Sequence, residues 1–251
     1  MSKVSRKFLT ALILLLAFAL FTVILMKVDV ESLKVMDATH APTAVETPVG
    51  LAGLNQFVQD QLNDPNRPIL FSMDMWYTIS KLLAAFSIAF GCCFALAGLI
   101  QLIRRKNVFK VNYVILLLGC VYILLGVLYV FFSKYSLNFR PVLEPDGTLE
   151  TSFPSSHTLL VVTIMLTAII ALPKLVKNRA LVALLDVVAV VTMIAMVVAR
   201  LLSGVHWFTD ILGGILFSAA IAAFFSAFVA LVGRRIRRKK KLAKLKAARR
   251  A

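Results

Sequence analysis

The sequence predicts an all-α, polytopic membrane protein: a six-span transmembrane helix bundle with both termini cytoplasmic. Three observations predict it. Of 251 residues, 60% are hydrophobic and only 16% charged, with a mean hydropathy of +0.89, a balance that does not suit an ordinary water-soluble globule. Several apolar runs reach the roughly 20 residues that a bilayer-spanning helix needs. Finally, the basic residues collect on one side of the alternating spans, as the positive-inside rule requires.

The first apolar run, Phe8 to Met26, follows a short head carrying Lys3, Arg6 and Lys7. Such a segment is either a signal peptide or a retained anchor. Its length and the absence of a small-x-small cleavage site near Lys27-Val28-Asp29 favour the anchor. Further spans are predicted at Leu82 to Ile103, Tyr113 to Phe132, Thr158 to Leu172, Leu181 to Leu202 and Ile211 to Val232. The fourth run is the shortest and is expected to extend into its flanks. Residues 1–233 are read as the membrane domain and 234–251 as a basic cytoplasmic tail.

With the N-terminus inside, the cytoplasmic pieces hold 21 of the 28 Lys and Arg residues and none of the 12 acids. Eleven of those cations lie between Arg234 and Arg250. Beside a membrane span, such a run suits anionic lipid headgroups, so the net charge of +16 gives no reason to expect nucleic acid. Ten acids fall in the two longer outer loops, 27–75 and the segment around Glu144, Asp146 and Glu150. Within the first, Leu51, Leu54, Phe57, Val58 and Leu62 are spaced as one face of a short interfacial helix, ended by Asn63-Asp64-Pro65. Trp76, Tyr77 and Trp207 fit an interfacial aromatic belt, and Lys81 is expected to snorkel. His40 reads as a solvated loop residue. Asp186 lies fourteen residues before Arg200, about 21 Å deeper along the helix, and is expected to pair or hydrate at the far end. Cys92, Cys93 and Cys120 all fall in apolar runs and read as packing residues, which leaves no disulfide framework and no zinc site.

Three polar clusters remain, all at predicted outer span ends: Lys134 with Arg140-Pro141, Pro154-Ser155-Ser156-His157, and Arg200 with His206 and Asp210. Ionisable groups near membrane depth are costly and point to a functional site. His206 and Asp210, four apart on a helix start, share a face and can hydrogen-bond. A carboxylate on one imidazole nitrogen leaves the other free to attack. Arg200 ends the fifth span, and the turn Ser203-Gly204 can return the chain beside it. After Pro154, either Ser155 or Ser156 can cap the next helix, whose free N–H groups attract an anion, with His157 close enough to donate a proton. Arg140 can grip two phosphate oxygens through its planar fork. Lys134 supplies a point charge or snorkels to the interface.

The ordered set Lys134-x5-Arg140-Pro141, Pro154-Ser155-Ser156-His157 and Arg200-x5-His206-x3-Asp210 resembles the type 2 phosphatidate phosphatase superfamily of membrane lipid phosphatases, related to vanadium haloperoxidases. The resemblance covers roughly Lys134 to Asp210 and the six-span layout. It implies that His206 is the nucleophile forming a phosphohistidine, Asp210 its orienter, and His157 the acid for the leaving alkoxide and later the base for water. It further implies that Lys134, Arg140, Ser155, Ser156 and Arg200 hold the phosphoryl oxygens, with no metal and no cofactor. The sequence departs from the family pattern in having five rather than six residues between Lys134 and Arg140, Ser156 in place of Gly, and Ala199 in place of Ser.

The resulting expectation is metal-independent hydrolysis of a membrane lipid phosphate or diphosphate, of the phosphatidate, phosphatidylglycerol phosphate or polyprenyl diphosphate class, at an extracytoplasmic site. Two alternatives remain open at this point: a lipid phosphotransferase with another hydroxyl as acceptor, and a catalytically silent lipid-phosphate binding or transport protein.

Overall fold

The computed structural model describes residues 2–37, 41–62, 72–135, 137–144 and 146–248, the side chain of Lys244 excepted. His40 and the expected helix stop Asn63-Asp64-Pro65 lie outside the described residues. Seven α-helices are present among them: α1 (Lys3–Lys27), α2 (Ala52–Leu62), α3 (Met73–Arg105), α4 (Tyr113–Lys134), α5 (Ser156–Leu175), α6 (Arg179–Leu202) and α7 (Phe208–Ala248). All but α2 are long and apolar enough to cross a membrane. The protein is an integral multi-pass membrane protein.

Local chemistry sets several helix starts. Asn112 accepts a hydrogen bond from the Val114 N–H to begin α4, and Asn178 accepts from Ala180 and Leu181 to begin α6. These asparagines satisfy N–H groups that the first helical turn leaves open. The short fourth run does extend: α5 begins at Ser156 and continues through Pro173 to Leu175. The last span continues as one helix through the basic residues to Ala248.

The bundle is organised around α5, 61% of whose most apolar stretch is buried, against 17% for α1 and for α6. It touches α3, α4, α6 and α7. Leu159, Ile164, Ala168 and Leu172 from α5 join Leu118 and Val121 of α4 and Phe225 of α7 in the main apolar cluster. On the outside, α1 runs along α7, with Phe18 stacked on Phe217 at 4.3 Å between ring centroids and Phe8 edge-on to Phe228 at 5.2 Å. Many large side chains of α1, α3, α4 and α6 remain open to the surroundings, including Leu20, Leu82, Ile123 and Ile194. In water such a surface would be untenable; in lipid it is ordinary.

The first outer loop departs from expectation in one way. It contains a two-stranded antiparallel hairpin, β1 (Glu31–Met36) and β2 (Pro42–Val49), with Glu31 opposite Val49 and Leu33 opposite Thr47. The helix α2 exists, but it rests on the bundle through Ala52, Asn55, Gln59 and Leu62, while Leu54 and Phe57 face outward. Of the apolar stripe, Leu62 is packed while Leu54 and Phe57 stay open, and the side that docks on the bundle carries Asn55 and Gln59. Asn55 and Gln59 satisfy backbone groups of the α6–α7 connection, and that polar complementarity decides how α2 docks.

Candidate active site

Four chain segments meet at the shared end of α4, α5, α6 and α7. Two glycines allow the closest approach. A Cβ at Gly213 would lie 2.4 Å from the Phe153 ring, and one at Gly214 would lie 3.1 Å from the Ser155 carbonyl oxygen. Here α7 and the start of α5 touch backbone to side chain, which only glycine permits. The Ser155 N–H donates to the Asp210 carbonyl at 3.0 Å, joining the two helix starts directly.

Asp210 is fully buried in the first turn of α7 and accepts three hydrogen bonds: from Asn138 Nδ2 at 3.0 Å, Ser152 Oγ at 2.5 Å and the Trp207 N–H at 2.9 Å. The expected direct bond to His206 is not formed. His206 Nδ1 stands 3.7 Å from Asp210 Oδ2, beyond hydrogen-bonding range. Ser152 Oγ lies 2.9 Å from His206 Nδ1 and bridges the gap. Because the single hydroxyl proton of Ser152 goes to the carboxylate, its oxygen accepts from His206 Nδ1–H. This arrangement places the imidazole lone pair on Nε2, which is buried and has no partner among the described residues.

His206 is 2% exposed. Burial first, then the charges of Arg200, Arg140 and His157, hold its pKa well below the ordinary value of 6.5. The ring is therefore neutral, the form a nucleophile requires. His157, the second residue of α5, leaves its buried Nδ1 without a partner.

Arg200 closes the site from the end of α6. It is fully buried, donates from Nη1 to Ser80 Oγ of α3 at 3.2 Å, and lies 5.7 Å from the centre of the Tyr77 ring. Its Nε and Nη2 are unpartnered and it makes no ion pair among the described residues. A buried guanidinium without a counter-charge is strongly disfavoured unless an anion completes it.

Arg140 is engaged differently. Nη1 meets Glu144 at 2.9 Å and Nη2 meets Glu150 at 2.6 Å, while Nε is unpartnered. The Phe139–Thr151 bridge and the bond from Arg140 N–H to Glu150 O pair the two sides of the second outer loop. That pairing sets Asn138 and Ser152 side by side over Asp210. The hairpin supports the same loop: Met36 N–H donates to Pro141 O, and Leu143 N–H donates to Met36 O, both at 2.8 Å.

Helix α2 braces the α6–α7 connection. Asn55 Nδ2 donates to Gly50 O and Thr209 Oγ1, and Asn55 Oδ1 accepts from Thr209 N–H. Gln59 Nε2 donates to Gly204 O at 3.0 Å, where the backbone takes the left-handed φ of +66°.

Two expected phosphate ligands are placed less directly. Ser155 occupies the N-cap position of α5 but makes no side-chain capping bond; its buried Oγ accepts from Thr158. Ser156, half-buried, lines a cavity of about 260 Å³ with Arg140 and Glu150. That cavity continues between α4 and α5 past Leu125, Tyr129 and Leu160. Lys134, in the last turn of α4, is exposed and lines neither cavity that reaches Arg140.

Lys81 takes the contrasting position. Instead of only snorkelling, it lies over the Tyr77 ring at 4.0 Å and lines, with Arg140 and Glu144, a second cavity of about 200 Å³. Nor is Trp207 a belt residue. It is 2% exposed, its Nε1 donates to Phe139 O at 2.7 Å, and its backbone holds Asp210. Sequence reasoning missed Asn138, Ser152, Ser80, Asn55 and Gln59. The available signal was their polarity in an otherwise apolar chain.

The match of residues 130–234 to the family model described as the PAP2 superfamily covers every one of the expected site residues. Residues 130–234 belong to the PAP2 superfamily. No curated protein matches the chain. Among solved structures, the chain is similar to the first transmembrane PAP2 type phosphatidylglycerolphosphate phosphatase from Bacillus subtilis, with a TM-score of 0.53 and 17% identity. The match covers 89% of this chain and 97% of that one. This likeness shows that the PAP2 segment sits in a shared transmembrane fold. Membership of the PAP2 superfamily supports lipid phosphate phosphatase activity in general.

Proposed function

We propose that the protein hydrolyses a membrane lipid phosphate or diphosphate through a phosphohistidine on His206, at the extracytoplasmic face. The observation that carries this reading is the set of buried nitrogens without partners: His206 Nε2, His157 Nδ1, Arg200 Nε and Nη2, and Arg140 Nε. Two imidazole rings, the Arg200 guanidinium and the one open nitrogen of Arg140 together make a socket for one tetrahedral anion.

In the first step His206 Nε2 attacks phosphorus and the ester P–O bond breaks. His157 gives its proton to the departing alkoxide. The positive charge that develops on His206 stays on the ring, which keeps its Nδ1–H, and is stabilised through Ser152 by the Asp210 carboxylate. In the second step His157 takes a proton from water, the hydroxide attacks phosphorus, the P–N bond breaks and inorganic phosphate leaves. Arg200 and Arg140 neutralise the equatorial oxygens, which is the main demand of phosphoryl transfer. Splitting the hydrolysis in two lowers each barrier.

The cavity between α4 and α5 supports a lipid as the substrate: polar at Arg140 and Ser156, apolar at Leu125 and Leu160, it lets a tail remain at membrane depth. Phosphatidate, phosphatidylglycerol phosphate and polyprenyl diphosphate share the required chemistry. The one-sided distribution of Lys and Arg supports the outward orientation.

The test is phosphate release by the purified protein in detergent with EDTA, across a panel of lipid phosphates, combined with rapid acid-free quenching to trap phosphoprotein. Wild type should release phosphate and carry an acid-labile, base-stable phosphoryl group, and His206→Ala should do neither while keeping its thermal transition. Transfer of the label to an added alcohol in preference to water identifies a phosphotransferase. No release and no label across the panel identifies a silent binding protein.

A further inference from the structure

A second cluster of cations lies at the opposite end of the bundle. There the starts of α1 and α4, the end of α5 and the later half of α7 enclose a cavity of about 570 Å³. Five cations line it: Lys3, Lys7, Lys174, Arg234 and Arg237. No carboxylate lines it among the described residues. Lys7 is tethered, its Nζ donating to Ser226 Oγ of α7 at 2.5 Å. Five like charges facing one cavity repel each other, and an anion between them relieves that repulsion.

An adjoining feature points to the kind of anion. A cavity of about 460 Å³ continues along the same α1–α4–α7 crevice toward mid-membrane, and its lining is apolar: Leu15, Leu117, Leu124, Phe224 and Phe228 are among its walls. Tyr113 of the basic cavity and Leu117 and Leu124 of the apolar one recur at i, i+4 and i+11 along α4, so one helix face borders both. From Tyr113 to Leu124 the helix rises about 16 Å. A charged pocket followed by an apolar furrow of that length has the shape of a headgroup and one chain.

We propose that this crevice binds an anionic phospholipid, its phosphate held among Lys7, Lys174, Arg234 and Arg237 and one acyl chain lying against Leu117, Leu124 and Phe228. The site is separate from the His206 centre and does not rest on the reading of that centre. The shared chemistry with free inorganic phosphate is the phosphate itself; the apolar furrow selects the lipid. Pockets of cations between spans are a recurrent means of holding such headgroups.

Native mass spectrometry of full-length protein released from mixed phosphatidylglycerol and phosphatidylcholine micelles tests it. Wild type should retain phosphatidylglycerol over phosphatidylcholine by about tenfold or more, the scale of one to two Lys or Arg contacts near a membrane surface. Replacing Lys7, Lys174, Arg234 and Arg237 together by Gln should remove that preference. The exposed pair Lys174→Gln and Arg237→Gln should reduce it even if the fourfold variant does not fold. Lys239→Gln, Lys240→Gln and Lys241→Gln together should leave it intact, and Leu124→Trp should weaken it by blocking the furrow. Retention by the pocket variants, or its loss in the triple tail variant, would overturn the site. Displacement of the lipid by excess inorganic phosphate would overturn the lipid as its occupant.

Discussion

Ser152 Oγ stands between His206 Nδ1 at 2.9 Å and Asp210 Oδ2 at 2.5 Å, so the imidazole and its carboxylate communicate through a hydroxyl and not by contact. Ser152→Ala should break that relay while leaving Asp210 held by Asn138 and Trp207. The expected result is a fall in kcat on the order of 100-fold with KM little changed, since the relay stabilises charge that develops only during reaction. Steady-state kinetics on a short-chain lipid phosphate checks it. An equal rise in KM would show that Ser152 binds substrate instead.

Arg200 offers a test in which stability and activity move oppositely. Its buried guanidinium has two unpartnered nitrogens. Arg200→Met removes an uncompensated buried charge while keeping much of its volume, so the ligand-free Tm should hold or rise. Activity should be lost. Inorganic phosphate should raise the Tm of wild type but not that of the variant, by the linkage of binding to folding.

Lys81 and Lys134 exchange their expected weights. Lys81 lines the cavity beside Arg140, and Lys134 does not. Lys81→Ala should raise KM roughly threefold to fivefold, the scale of an exposed charge contact. Lys134→Ala should leave KM within the error of measurement. Reversal of the two effects would restore Lys134 as the phosphate contact.

His206 makes its own contribution to the pH dependence of stability. Its folded pKa lies well below 6.5, chiefly through burial. In the unfolded chain the ring takes up a proton as pH falls through its ordinary value; in the folded chain it does not. The unfolded state then binds more protons, so stability is present above the ordinary value and declines below it, by roughly 1 kcal/mol per pH unit. Thermal unfolding of wild type and His206→Asn between pH 7 and pH 5 should differ by this slope, wild type losing more stability as pH falls; equal slopes would exclude a neutral buried His206.

Asn55 braces the catalytic turn from outside it. Its side chain satisfies Thr209 twice, one residue before Asp210. Asn55→Ala leaves the buried Thr209 N–H and Oγ without their partner, at about 1–3 kcal/mol for an unmade buried hydrogen bond. Both Tm and kcat should fall. Asn55→Leu should do the same, because the loss lies in polarity and not in volume.

The bundle was legible because its signals are local. Spans appear as uninterrupted apolar runs, and the Asn residues that start α4 and α6 precede them directly. The short fourth run could be extended on physical grounds, and α5 begins at Ser156. The hairpin β1–β2 was not legible: Lys34, Glu46 and the prolines of β2 carry no clear alternation, and its partner is a loop a hundred residues away. The docking of α2 on the bundle was not legible either, because two amides, Asn55 and Gln59, make its contacts while Leu54 and Phe57 stay open.

For this protein the sequence by itself determined that there are six spans, that cations crowd one side of them, and that His157, Arg200, His206 and Asp210 lie at one set of span ends. These depend on hydrophobic length and residue order, which neighbours along the chain specify. Only the tertiary structure decided that Ser152 and Asn138, rather than His206, satisfy Asp210, that Glu144 and Glu150 occupy Arg140, and that Lys81 rather than Lys134 faces it. A buried polar atom takes whichever partner the packing of distant segments brings within about 3 Å, and spacing along the chain does not encode that choice.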